Sequence, residues 1–338
     1  MRHIIIGGDG FVGHILANNL QAKGEQVIVA DIVKSNHDVY GKVPFVPLDV
    51  TKPESFAALP LQPGDMIYNL SAKMLSPIMP KAKRYEFFYP VNYFGTKNIL
   101  EWMEKAGAKR LVHYTTDMVY GHSKVTPQTE DHPCAPLGHY GQSKLDTETL
   151  AAQYRQKGFN ISIFRPRLII GPGRLGILEK LFKLIDANLP VPMIGSGRNP
   201  YQFVSVFDCA SAAELAWRAG VPNQAYNLGS DTPPSVRDLL GRLVKEAGSR
   251  SILIPTPGFL VKMTLNTLDA VNMPLMDPEQ YLIADEECLL DCSKAKREIG
   301  WAPQFRDDDM LIAAYKEYRA KKTAGANVSA GKPQPASS

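Results

Sequence analysis

No part of this chain leaves less freedom than residues 1–31. The apolar run Ile4-Ile5-Ile6 leads straight into Gly7-Gly8-Asp9-Gly10-Phe11-Val12-Gly13, and Phe11, Val12, Ile15, Leu16 and Leu20 then recur at helical spacing until Gly24. Gln26 to Asp31 is a second strand-like run. The pattern reads as strand, tight turn, helix, strand. Gly7 supplies the backbone angle of the turn, Gly10 lets main chain approach a ligand with no Cβ in the way, and Gly13 lets the helix lie close on the sheet. Phe11 and Val12 belong to the same turn. Free N–H groups and the positive end of the helix dipole converge there, so the turn suits a pyrophosphate. Asp31, closing the second strand, is spaced to accept bonds from an adenosine ribose diol. Together these features point to a bound dinucleotide. A carboxylate at Asp31 repels a 2′-phosphate and favours NAD over NADP, with the nearby Lys34 acting against that preference.

Beyond Asp31, strand-like runs alternate with helical ones, which predicts an α/β fold: a doubly wound parallel sheet with helices on both faces, the Rossmann arrangement. Phe45 to Leu48 is a third strand, and Asp49 and Val50 at its end are within reach of an adenine. A fourth, Asp65 to Leu70, delivers Leu70, Ser71 and Ala72 to the carboxyl edge where such folds bind ligands. A helix is expected from about Asn92 to Ala106, a strand over Arg110–Tyr114, a polar stretch from Thr115 to Gly121 at the same edge, and a helix from Tyr140 to about Gln156. A strand follows at Ile161–Phe164. Gly171-Pro172-Gly173 then marks a change to shorter pieces: a helix over Leu178–Ala187, strands over Gln202–Val206 and Ala225–Leu228 returning to the main sheet, and a helix over Ser235–Ala247 capped by Ser235. The expected organisation is a cofactor domain over 1–170, with returning strands near 202–230, a smaller substrate lobe over 171–320, and a disordered tail over 321–338.

Charge says little about partners. The formal net charge is +4 over 338 residues, and the basic residues are spread along the chain, which gives no nucleic-acid groove. The 4 cysteines lack both a disulfide framework and zinc spacing, and no apolar run approaches the roughly 20 residues of a membrane span. A cytoplasmic protein acting on a small molecule, with a homodimer compatible, is the expectation.

Tyr140 and Lys144 lie four apart on one face of their helix. An ammonium one turn from a phenol stabilises the tyrosinate and makes the tyrosine a usable acid/base. A hydroxyl such as that of Thr116, at the end of a neighbouring strand, can hold a substrate oxygen. These residues do not stand alone. With Asn69-Leu-Ser-Ala72, Asn92-Tyr-Phe-Gly-Thr96, Thr116-Asp-Met-Val-Tyr-Gly121, Arg165-Pro166, Tyr226-Asn-Leu-Gly229 and Ile299-Gly-Trp301-x-Pro303, residues 1 to about 305 resemble the extended short-chain dehydrogenases/reductases of the NAD-dependent epimerase/dehydratase family. The resemblance implies that Tyr140 is the general acid/base, that Lys144 bonds the nicotinamide ribose while tuning Tyr140, that Thr116 is their hydroxyl partner, and that Asn92 is a structural asparagine near the cofactor.

The departures bear on substrate. Dehydratases of the family carry an acidic residue two after the threonine; Met118 stands there, and a thioether cannot take a proton from carbon, so a 4,6-dehydratase is not expected. Sugar-nucleotide epimerases use an asparagine and an arginine on the diphosphate where this chain has Leu168 and Tyr201. Asp117, Arg167, Arg174, Arg198 and Tyr201 are the remaining candidates to face a substrate. A nucleotide-sugar epimerase or reductase is the leading expectation. An enzyme like the 3β-hydroxysteroid dehydrogenases, acting on an apolar hydroxy compound, is the alternative, suggested by the Leu- and Ile-rich stretch from Gly173 to Gly197. A non-catalytic NAD-binding protein is the third.

Overall fold

The computed structural model describes residues 1–35, 41–173, 176 and 178–330. Seven parallel strands form the main sheet: β1 (Arg2–Ile6), β2 (Gln26–Asp31), β3 (Phe45–Pro47), β4 (Met66–Asn69), β5 (Arg110–Tyr114), β6 (Asn160–Pro166) and, after three excursions, β10 (Ala225–Leu228). Their order is β10-β6-β5-β4-β1-β2-β3, so successive strands run outward from β1 in one direction as far as β3 and then restart on its other side with β4. The doubly wound sheet expected from the sequence is therefore present. The register Ile6↔Ala30 and Ile6↔Asn69 aligns the carboxyl ends of β1, β2 and β4, and the switch point between β1 and β4 opens a crevice directly after Ile6.

β1 is apolar on both faces because helices cover both. Ile5 joins a core with Leu16, Val29, Val112 and Cys209, while Ile4 and Ile6 join another with Leu100, Leu111 and Ile163. A third core gathers Ile170, Phe182, Met193, Phe203, Leu243 and Tyr315 away from the main sheet.

Three expectations need correction. The strand over Gln202–Val206 does not return to the main sheet. Its counterpart β9 (Phe203–Ser205) pairs with β7 (Leu168–Ile170) in a separate two-stranded sheet, because β10 already covers the outer edge of β6 and the chain leaves that edge after Pro166. β8 (Val191–Ile194) and β11 (Leu253–Thr256) form another parallel pair. The helix expected from Asn92 is continuous from Arg84: an α-helix to Tyr89, a π-turn over Pro90–Gly95 and an α-helix over Thr96–Ala106. Pro90 has no N–H to give the preceding turn, and the wider π-turn accommodates it. The last helix, Asp307–Ala330, runs past Lys321 into the stretch expected to be disordered, while residues 331–338 lie outside the described ones. Ser235 does cap its helix, its hydroxyl accepting the Asp238 amide.

Candidate active site

Gly7 takes φ +74°, and a Cβ on it would come within 2.7 Å of the Leu70 carbonyl carbon and the Ser71 nitrogen. Glycine is therefore what allows the turn after β1 and the loop Leu70–Ala72 after β4 to stand side by side. Gly13 is as tight, since a Cβ there would sit 2.6 Å from Gly8 Cα. The Gly10 amide donates to the Gly7 carbonyl at 3.1 Å, closing the turn ahead of the helix Gly13–Ala22. Val12 is buried in the core, and the Phe11 ring reaches the turn at Gly171 and Gly173. Asp31 is held by amides, Oδ2 accepting from Asp9 at 3.0 Å and Oδ1 from Ile32 at 2.7 Å. Burial pushes its pKa up and those amides pull it down. Lys34 extends its ammonium over the Phe45 ring. Asp49 caps its own turn through Thr51, and Val50 is buried under Gly95.

The Leu70–Ala72 loop is fixed from below. Asn69 Oδ1 accepts both the amide and the hydroxyl of Ser71, and Asn69 Nδ2 donates to Thr96 Oγ1. Asn92, fully buried in the π-turn, accepts the Lys73 amide at 2.8 Å and donates to the Lys73 carbonyl and to Ser143 Oγ at 3.1 and 3.0 Å. One amide side chain thus ties the loop after β4 to the helix His139–Gln156.

That helix carries Tyr140, Ser143 and Lys144 on its buried side. Lys144 Nζ donates to the carbonyl of Tyr114, the last residue of β5, at 3.0 Å. Its surroundings strip water from the ammonium and push its pKa down to about 8, with Glu148 pulling the other way. The buried His113 next to this site is held neutral, by desolvation first and by Lys144 second. Thr116, two residues past the end of β5, caps the short turn Asp117–Val119 and accepts the Met118 amide at 3.2 Å. Tyr140, Lys144 and Thr116 are each less than 7% exposed. Lys144 and Thr116 thus both stand at the carboxyl edge of β5, and Tyr140 lies one turn before Lys144 on the same helix.

Of the substrate candidates, Asp117, Arg167 and Tyr201 come together. Arg167 is buried, its Nη1 bonded to Asp117 Oδ2 and its guanidinium carbon 5.4 Å from the centre of the Tyr201 ring. Arg198 is exposed on the turn before Pro200, and its guanidinium forms no ion pair among the described residues. Arg174 lies outside the described residues.

A sequence profile of the NAD dependent epimerase/dehydratase family matches residues 3–229. The chain belongs to that family. Among individual relatives, an uncharacterized protein, y4nG, of Sinorhizobium fredii is 29% identical over 95% of this chain and 79% of its own length. The UDP-glucose 4-epimerase of Streptococcus mutans is 28% identical over 93% of this chain and 95% of its own. The decarboxylating sterol-4-alpha-carboxylate 3-dehydrogenase of Homo sapiens is 25% identical, covering 94% and 88%. A UDP-glucose-4-epimerase from Stenotrophomonas maltophila, solved with bound NAD and formylated UDP-arabinopyranose, has the same fold, at TM-score 0.78, 23% identity and coverage of 96% and 99%.

As a member of this NAD-dependent family the chain is an oxidoreductase or epimerase of the extended short-chain dehydrogenase class, and its crevice fits the cofactor. A Cβ at Gly7 or Gly13 would close the turn, and the Asp31 carboxylate is already held by amides at the end of β2. Two further residues escaped the sequence reading. Glu148, four beyond Lys144, bonds Thr115 and pairs with the buried Arg165; the repeated spacing of four along one helix face was the available signal. Glu279 accepts the amides of Tyr140 and Gly141 at 2.8 and 2.7 Å, and no local pattern joins residues 139 positions apart.

Proposed function

We propose that this chain moves a hydride between a secondary alcohol or its ketone and NAD in the cytoplasm, with Tyr140 as the acid/base. The observation that carries the reading is the burial of Lys144 and Thr116 at the end of β5, with Lys144 held on the Tyr114 carbonyl and Tyr140 buried one turn before it on the same helix. In oxidation, Tyr140 as tyrosinate accepts the hydroxyl proton of the alcohol. Thr116 Oγ1 holds the same oxygen, and Lys144 supports the phenolate charge while reaching for the nicotinamide ribose. NAD, when bound, supplies the hydride acceptor. The direction reverses with the same groups. Met118 offers no acid/base for a 4,6-elimination, so that outcome is not proposed. Four free cysteines suit a reducing compartment.

For the substrate, the Asp117–Arg167 pair supports one class over the other. A buried guanidinium already neutralised by a carboxylate and covered by Tyr201 is poorly disposed to grip a diphosphate, and Leu168 adds no donor. An apolar hydroxy compound is therefore put ahead of a nucleotide sugar. The second reading, a nucleotide-sugar epimerase with retained NAD, keeps the support of the similarity to UDP-glucose 4-epimerase over 93% of the chain. A thermal-shift screen with NAD present, set beside absorbance near 340 nm, separates them. Stabilisation and new absorbance with a sterol-like or long-chain secondary alcohol, and neither with uridine or thymidine diphosphate sugars, is expected. Stabilisation by a nucleotide sugar alone would reverse the ranking.

A further inference from the structure

The helix Gly258–Ala270 and the turn after it carry a run of bare apolar side chains. Phe259 is 71% exposed, Met263 60%, Val271 59%, Met273 66% and Leu275 58%, with Leu260 beside them. Phe259, Met263, Thr267 and Val271 recur every four residues, which draws them into one stripe along the helix. The threonines that interrupt the stripe do not make it polar. Thr264 Oγ1 donates to the Leu260 carbonyl and Thr267 Oγ1 to the Met263 carbonyl, both at 2.9 Å, so their hydroxyls are satisfied within the helix.

Charge is distributed just as unevenly. Between residues 258 and 276 only Lys262 and Asp269 are charged. Lys262 is paired with Asp285, and Asp269 is buried against Arg84. No carboxylate is exposed in the segment. Its rim is net cationic: Lys180 donates to the Leu275 carbonyl at 3.3 Å, with the adjacent Glu179 paired to Lys183, and the exposed Lys81 and Lys83 precede the Arg84 that bonds Asp269, set against the exposed Glu86. A run of exposed apolar side chains of this kind on a globular chain marks an interaction site. An interfacial helix with apolar residues on its outer face and lysines at its edge matches the two layers of an anionic bilayer surface, acyl boundary and head groups.

We propose that the segment Phe259–Leu275 docks this protein peripherally on an anionic lipid surface, with Phe259 and Met263 entering the acyl boundary and Lys81, Lys83 and Lys180 meeting the head groups. No helix among the described residues is long and apolar enough to cross a membrane, so attachment is reversible. The proposal stands apart from the substrate reading, since a surface-docked enzyme can act on either class.

The test is co-sedimentation of the full chain with vesicles of phosphatidylcholine alone and of phosphatidylcholine with phosphatidylglycerol, at low and high salt. Binding to the phosphatidylglycerol vesicles is expected, at least tenfold stronger than to phosphatidylcholine alone and weakened by salt. Phe259→Ser with Met263→Ser should lower that binding at least tenfold while leaving the melting temperature and its shift by NAD unchanged. Lys81→Glu with Lys83→Glu should abolish the preference for phosphatidylglycerol. No binding to either vesicle overturns the proposal, as does equal binding by the Phe259/Met263 variant. A concentration-dependent dimer that this variant dissolves, without vesicle binding by the parent chain, would show instead that a second copy covers the face.

Discussion

Tyr140 and Lys144 sit on one helix, but the roles proposed for them draw on residues from elsewhere: the Tyr114 carbonyl anchors Lys144, Glu148 offsets its desolvation, and Thr116 stands at the end of β5. Removing only the phenolic oxygen isolates the acid/base step. Tyr140→Phe should bind NAD as before and lose turnover by about 10² to 10⁴, the usual worth of a general acid/base. Single-turnover hydride transfer with tight NAD binding but undiminished rate in this variant would exclude Tyr140 from that role. Glu279 makes a second, pH-dependent prediction. Desolvation foremost, and then the nearby Asp277, push its carboxyl up to about 8, despite the amides of Gly141 and Tyr140. An acid whose pKa is raised on folding holds its proton longer in the folded state. Its contribution is thus present below the unfolded value near 4.5 and is lost as pH rises through about 8, with a slope of at most about 1.4 kcal/mol per pH unit. Glu279→Gln should flatten the fall in stability between pH 5 and 8, measured by denaturant unfolding at each pH. An unchanged slope would mean that other groups set it.

At the level of elements, the π-turn Pro90–Gly95 is the piece that joins the Leu70–Lys73 loop to the helix His139–Gln156. Asn92→Ala would leave the part-buried Lys73 amide and carbonyl without that partner, while Ser143 keeps its bond to the Tyr140 carbonyl, and should cost about 1 to 3 kcal/mol. Chemical unfolding reads the loss, and weaker NAD binding should accompany it as the Leu70–Lys73 loop loosens. Asn92 stands out in the sequence but the turn that aims it does not, because Pro90 in the aromatic run looks like a helix start. The β1 turn, most strands of the doubly wound sheet and the Tyr140 helix were legible because their signals are local: glycine spacing, apolar runs bounded by turns, and residues four apart. β9 was legible as a strand but not in its partner, since pairing across 35 residues leaves no mark on either segment alone. β8 and β11 are short, with Pro192, Ile254 and Pro255 exposed, and lack the alternation that announces a half-buried strand. Glu279 shows the same limit in the site itself. A carboxylate brought to a helix N-terminus from the far end of the chain is found only once the chain is folded.

Across the whole molecule, a buried cation helps fasten the helix Arg84–Tyr89 to the later helices. Arg84, 5% exposed, donates to the Met79 carbonyl at 3.2 Å, bonds both oxygens of Asp269, and lies 3.3 Å from Asp277. Asp277 in turn caps the short helix Pro278–Tyr281 that brings Glu279 onto the Tyr140 helix. Burial pushes the Asp277 pKa up, while the Glu279 amide and Arg84 pull it down. Arg84→Leu removes the shared counterion from two buried carboxylates, a change that typically costs about 3 to 5 kcal/mol because the charges left behind have neither water nor a partner. The loss should depend on pH in a definite sense. Without Arg84 the folded-state pKa of Asp277 rises further, so the variant binds a proton on folding and recovers part of its stability as pH falls from 8 toward 5. Arg84→Leu combined with Asp269→Leu should recover more at pH 8, since an apolar pair of similar volume can replace a buried ion pair with little net change. Denaturant unfolding of the parent, the single and the double variant at pH 8 and pH 5.5 gives the comparison. A single variant equally weakened at both pH values would mean that its cost is lost packing and not unpaired charge.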